Sequence, residues 1–238
     1  MLRRLVVVLS LLGAMTAGAP TCRAHLSDYD AALPGTTTTV TGSAYSFSTL
    51  LASRPVRWDP CTAIHWRYRT AGQITGGFTQ VVRAIARISR ATGTTWVYDG
   101  PVTTAPTSAW LPRHADQHPP VLIGWTTASH SDLLATQSPT VLGVTRTAWF
   151  SQTKSGVTTA AIRGAVVALN QSKRLPLTGS VSWYTVLLHE LSHAMGLGHA
   201  TSSRELMFPT IQPGLLDLQA GDLAGLTRVG RSAGCIRF

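Results

Sequence analysis

Cysteine is scarce: only Cys22, Cys61 and Cys235 occur in 238 residues. That excludes a small scaffold held together by dense disulfides. Acidic side chains are also few, 10 Asp and Glu against 20 Lys and Arg, and only Glu190 and Glu205 are glutamates. Acidic calcium loops are therefore not evident, and a calcium requirement stays open. No apolar run beyond the N-terminus approaches the ~20 residues of a membrane helix, which excludes a multi-spanning protein. Internal repeats are missing as well. Charged residues make up 13% and apolar residues 44%, too few and too many respectively for a disordered chain. The length suits one domain with a real core.

The net charge is +10. The basic residues are spread along the chain and are not interleaved with aromatics, so a nucleic-acid groove is not expected. They read as a basic surface, with unspecific attraction to anionic polymers or cell surfaces as the alternative.

Met1 to Arg4 is short and basic, Leu5 to Leu12 is almost wholly apolar, and Gly13 to Ala19 is rich in small residues. That is the layout of a secretory signal peptide. A membrane anchor is the shorter-fitting alternative. Ala17-Gly18-Ala19 and Cys22-Arg23-Ala24 both fit a small-x-small cleavage rule. The second cut avoids Pro20 after the cleaved bond and removes Cys22, leaving Cys61 and Cys235 as an even pair. We therefore read residues 1–24 as the signal, with a secreted or envelope-associated product that keeps no stable membrane anchor. Lipidation of Cys22 would need a better lipobox than Ala-Pro-Thr-Cys. In an oxidising compartment Cys61 and Cys235 can form a disulfide; two unpaired buried thiols are the alternative.

Residues 25–54 are rich in Thr, Ser and Gly and read as a poorly structured arm, with a domain over 55–238. Ile64, Trp66 and Tyr68 alternate with polar residues, the period of a half-buried strand. Phe78, Val81, Val82, Ile85 and Ile88 recur at helical spacing, with Gly93 as a stop. Short strands are expected over 95–98, 121–125, 141–149 and 165–169. Ser180 or Ser182 can cap a helix running to about Gly196, and a last helix fits 219–229. The order gives an α+β layered domain. Asn170-Gln171-Ser172 matches a glycosylation acceptor, a weak pattern.

The informative segment is His189-Glu190-Leu191-Ser192-His193-Ala194-Met195-Gly196-Leu197-Gly198-His199. Positions i and i+4 put the His189 and His193 imidazoles on one helical face, where both can grip one ion. Gly196 ends the helix and the following turn returns His199 as a third nitrogen ligand. Three protein ligands leave a position for water, the catalytic type of zinc site, although imidazole also accepts copper, nickel or cobalt. Glu190, beside the first ligand, can take a proton from that water. Five fixed positions of this kind arise by chance on the order of 10⁻⁵ times in a chain of this composition.

This segment resembles the zinc signature of the metzincin metallopeptidases. Glu205-Leu206-Met207-Phe208-Pro209 resembles the methionine turn at the spacing of the matrixin (matrix-metalloproteinase) family, and Asp222-Leu223-Ala224-Gly225-Leu226 resembles the start of the matrixin C-terminal helix. The likeness covers roughly 55–232, closely over 183–230. It implies a twisted, mostly parallel five-stranded sheet with a backing helix, an active-site helix and a small C-terminal subdomain. It also implies that His189, His193 and His199 bind one catalytic Zn2+ and that Glu190 is the base. Met207 would be a hydrophobic floor, Asp222 a buried carboxylate bonding the turn, and Phe208 to Gln212 a wall of the substrate pocket. Val141 to Thr147 would lie near the edge strand that pairs with an extended protein or peptide substrate.

The resemblance is incomplete. No cysteine-switch propeptide is found, and the arm is too short for the usual helical prodomain. His130-Ser131-Asp132 stands where matrixins carry two ligands of a structural zinc, without the remaining histidines. His114-Ala115-Asp116-Gln117-His118 is a second cluster, read as an exposed loop before Pro119-Pro120. A second zinc at either place is left open. The reading is a secreted, monomeric zinc endopeptidase. A non-catalytic zinc-stabilised binding protein and an amidase acting on an envelope polymer are the alternatives.

Overall fold

The computed structural model describes residues 23–32, as backbone, and residues 44–236. The signal segment up to Cys22 lies outside the described residues. The elements are β1 (Arg23–Ala32), β2 (Ser46–Phe47), β3 (Leu50–Leu51), β4 (Arg54–Pro55), β5 (Ile64–Arg69), α1 (Gly77–Thr92), β6 (Trp96–Val102), β7 (Val121–Thr126), α2 (Asp132–Ala135), β8 (Val141–Lys154), β9 (Val157–Asn170), α3 (Trp183–Met195), β10 (Leu197–Gly198) and α4 (Ala220–Val229).

The main sheet runs β1-β8-β9-β7-β5-β6. Pairs β6–β5, β5–β7 and β7–β9 are parallel. Strand β8 returns antiparallel to β9, and β1 is antiparallel to β8. The expected five-stranded, mostly parallel sheet is thus β6 to β8, with β1 added outside it. Part of the stretch read as an arm is structured accordingly. It supplies β1 and, over 44–55, three short strands that pair at β2–β10 and β3–β4.

Central strand β7 is buried at every position, as a strand covered on both faces must be. On one face, Trp66, Tyr68, Ile123, Trp125, Val167 and Leu169 meet Val81, Ile85 and Ile88 of α1 and Leu187, Leu188 and Leu191 of α3. On the other, Leu122, Val144 and Val166 pack with Leu111, Leu133 and Leu134. Phe78 and Val82, expected in the α1 core stripe, lie on its flank at 37% and 42% exposure. At 100° per residue they stand beside the Val81–Ile85–Ile88 line, and the Phe78 ring rests against Trp66, Tyr68 and Tyr98. Helix α1 stops at Gly93 (φ 69°), whose N–H donates to the Ser89 carbonyl.

Helix α3 starts at a reciprocal capping box. The Ser182 hydroxyl accepts the Thr185 N–H, and the Thr185 hydroxyl accepts the Ser182 N–H. It ends at Gly196, φ 107°, where a Cβ would also lie 2.6 Å from the Val56 carbonyl oxygen. Both the left-handed backbone and the close approach of residue 56 require glycine. Cys61 and Cys235 form a disulfide across 174 residues. Among the described residues no helix is long and apolar enough to cross a membrane.

Candidate metal centre

Three histidines converge where α3 ends. The Nε2 atoms of His189 and His193 lie 2.9 Å apart, and those of His189 and His199 lie 3.3 Å apart. Four ligands set tetrahedrally around zinc at ~2.0–2.1 Å stand about 3.3 Å from one another, so this spacing suits one ion. The first two rings have their other nitrogen occupied. His189 Nδ1–H donates to the Leu206 carbonyl at 2.8 Å, and His193 Nδ1–H donates to the Leu197 carbonyl at 2.9 Å. These bonds fix the tautomer and turn the Nε2 lone pairs to a common point. Burial, reinforced by the two neighbouring imidazoles, holds His193 well below the usual histidine range, in the neutral form a metal needs. The donor set therefore fits a zinc-type ion.

Glu190 is fully buried one residue after the first histidine. The Thr145 hydroxyl donates to Glu190 Oε2 at 2.6 Å. A Cβ at residue 143 would stand 2.9 Å from Glu190 Oε1, so Gly143 leaves the carboxylate its room. Both partners are on β8, across the interface between strand and helix. Met207 is fully buried in the turn beyond His199. Its carbonyl accepts the Ala200 N–H at 2.8 Å, which closes the loop carrying His199. Asp222, on the first turn of α4, accepts N–H groups from Leu206 at 2.8 Å, Met207 at 3.1 Å and Gln219 at 2.8 Å. Burial raises its pKa to about 6 despite those donors, with Glu205 adding to the rise. Asp222 thus braces the turn whose Leu206 carbonyl orients His189.

Residues 208–212 follow this turn at its surface, with Phe208, Thr210 and Gln212 partly buried. The edge expected to receive substrate, Val141 to Thr147, pairs with β1: Ala31 stands opposite Gly143 and Tyr29 opposite Thr145. Asp132 accepts the Ser108 N–H at 2.9 Å and lies 3.6 Å from the Arg146 guanidinium. Among the described residues, neither His114–His118 nor His130–Asp132 belongs to a cluster of three close metal donors. The triad does; Asp59, Cys61 and Cys235 form the other such group, with both thiols consumed by the disulfide. The Asn170 amide donates to the Val141 carbonyl at 2.9 Å and ties β9 to the start of β8.

Thr145, Gly143, Ser46 and the Leu197 and Leu206 carbonyls carry no signal in the helix motif itself. A glycine inside a strand, as at Gly143, is the one local hint.

A parallel-sheet α+β domain with three convergent histidines on and after one helix defines a zinc-type metallopeptidase site. The matrixin family model matches residues 86–229, more than half the chain, and the chain belongs to this family of zinc-dependent metallopeptidases. No curated protein matches the chain.

Proposed function

We propose that the protein is a secreted zinc endopeptidase acting on extended protein or peptide chains. One observation carries the reading: three Nε2 atoms converge at 2.9 and 3.3 Å, with the Nδ1 atoms of His189 and His193 already bonded to carbonyls. His189, His193 and His199 would hold one Zn2+, and Met207 would lie beneath as an apolar floor. Bound there, zinc supplies an acidified water and charge stabilisation for the developing oxyanion. Glu190 would serve as the base, accepting a proton at its carboxylate and passing it to the leaving amine. Thr145, donating to Oε2, holds the carboxylate against β8. No covalent intermediate with the protein is needed. The β8 edge supports an extended peptide as the ligand, because it already accepts the main chain of β1 over ten residue pairs.

Export is supported by the N-terminal layout and by the Cys61–Cys235 disulfide. A monomer with one zinc per chain is the working stoichiometry.

The test is Glu190→Ala. We expect retained zinc, by metal analysis, and kcat reduced by at least about a thousandfold on an unstructured protein substrate. Turnover near the parent value in that variant rejects Glu190 as the base.

A further inference from the structure

The third histidine poses a positioning problem that α3 cannot solve. His189 and His193 ride on a helix, but His199 follows Gly196 and β10 on a loop. A loop ligand must be held from outside, since metal ligands displaced by even a fraction of an ångström bind less tightly.

The holding segment comes from residues 46–48, far away in sequence. Strand β2 pairs antiparallel with β10, Phe47 opposite Leu197 and Ser46 opposite Gly198. The Ser46 hydroxyl donates to the His199 carbonyl at 2.8 Å. Ser48 donates to the Gly196 carbonyl twice, from its N–H at 2.9 Å and its hydroxyl at 3.0 Å. Leu197, held in that pairing, offers the carbonyl that orients His193. One short strand therefore touches the backbone supports of two ligands.

Glycines make the approach possible. A Cβ on residue 198 would lie 2.5 Å from the Ser46 hydroxyl oxygen. On α4, Cβ atoms at Gly221 and Gly225 would lie 2.3 Å from the Ala44 carbonyl oxygen and 3.0 Å from the Tyr45 Cβ. The 44–48 backbone thus runs tightly between β10 and α4. The Trp58 indole N–H adds a bond to the Ala194 carbonyl at 2.7 Å, further along the same segment.

We infer that Ser46 is a positioning residue for the metal centre, fixing His199 through its carbonyl while the β2–β10 pairing fixes the Leu197 support of His193. This rests on the reading of the three histidines as metal ligands. It is tested without any peptidase assay.

Ser46→Ala is compared with the parent chain by zinc competition against a chromophoric chelator and by the visible absorption of the cobalt-substituted form. The zinc-free chain is unfolded in urea as a control. The expected result is a zinc dissociation constant raised about tenfold and a shifted cobalt band, with the zinc-free midpoint unchanged. Ser48→Ala, which leaves the Ser48 N–H bond in place, should change both readings less. Parent-like zinc affinity and cobalt band in both variants would overturn the inference. So would weaker binding that comes only with a lower zinc-free midpoint and no change in the cobalt band, since that is ordinary destabilisation. A chain that binds no zinc even with Ser46 intact would overturn the metal reading first, and this inference with it.

Discussion

Asp222 is fully buried, and its oxygens accept three backbone N–H groups around the turn that holds Met207. Burial outweighs those donors and lifts its pKa from 3.8 to about 6. Between these values the folded chain binds more protons than the unfolded chain, so stability falls as pH rises through the window. A shift of this size corresponds to roughly 3 kcal/mol. The Asp222→Asn variant has no group that titrates there. Urea unfolding of the two zinc-free chains should therefore show the parent losing stability relative to the variant between pH 4 and pH 6.5. A parent that gains on the variant over this range would contradict the assignment. The histidine triad is legible in the sequence because helical geometry relates His189 to His193 at i and i+4, and the Gly196 stop marks the turn that returns His199. Thr145, Gly143 and Ser46 are not, because strands remote in sequence bring them to the site, and no spacing rule reaches across 45 or 153 residues.

At the scale of elements, helices α1, α3 and α4 are readable to within a residue or two, because each combines apolar periodicity with a capping or stop signal. The stretch 25–54 is not. Its Thr, Ser and Gly composition shows no period; β1 and β2 form where β8 and β10 offer an edge to pair with, and β3 and β4 pair with each other. Strand β1 lies on the edge of β8, beside the positions that contact Glu190. If an extended substrate uses that edge, β1 must leave first. A strand paired in about nine molecules of ten lowers apparent substrate affinity about tenfold. A chain beginning at residue 33 should accordingly show kcat/KM about tenfold higher than one beginning at His25. Equal values would show that substrate does not compete with β1.

For the molecule as a whole, the Cys61–Cys235 disulfide ties the segment after α4 to the loop before β5. Asp59 accepts N–H groups from both Cys61 and Ile236, and the Arg57 guanidinium donates to the Ala233 and Gly234 carbonyls. The even cysteine pair is visible in the sequence, whereas this surrounding clasp depends on how two distant segments meet. Replacing both cysteines by serine should lower unfolding stability by about 2–4 kcal/mol, with the closed loop lost from the denatured state. An unchanged urea midpoint would contradict that. Whether this matrixin-family chain is a zinc endopeptidase is decided by cleavage of an unstructured protein such as casein. The purified 25–238 form is assayed as prepared, after a zinc chelator, and after zinc is restored. We expect cleavage that stops with the chelator and returns with zinc. Cleavage indifferent to the chelator, or none from a chain carrying one zinc even when it begins at residue 33, would contradict it.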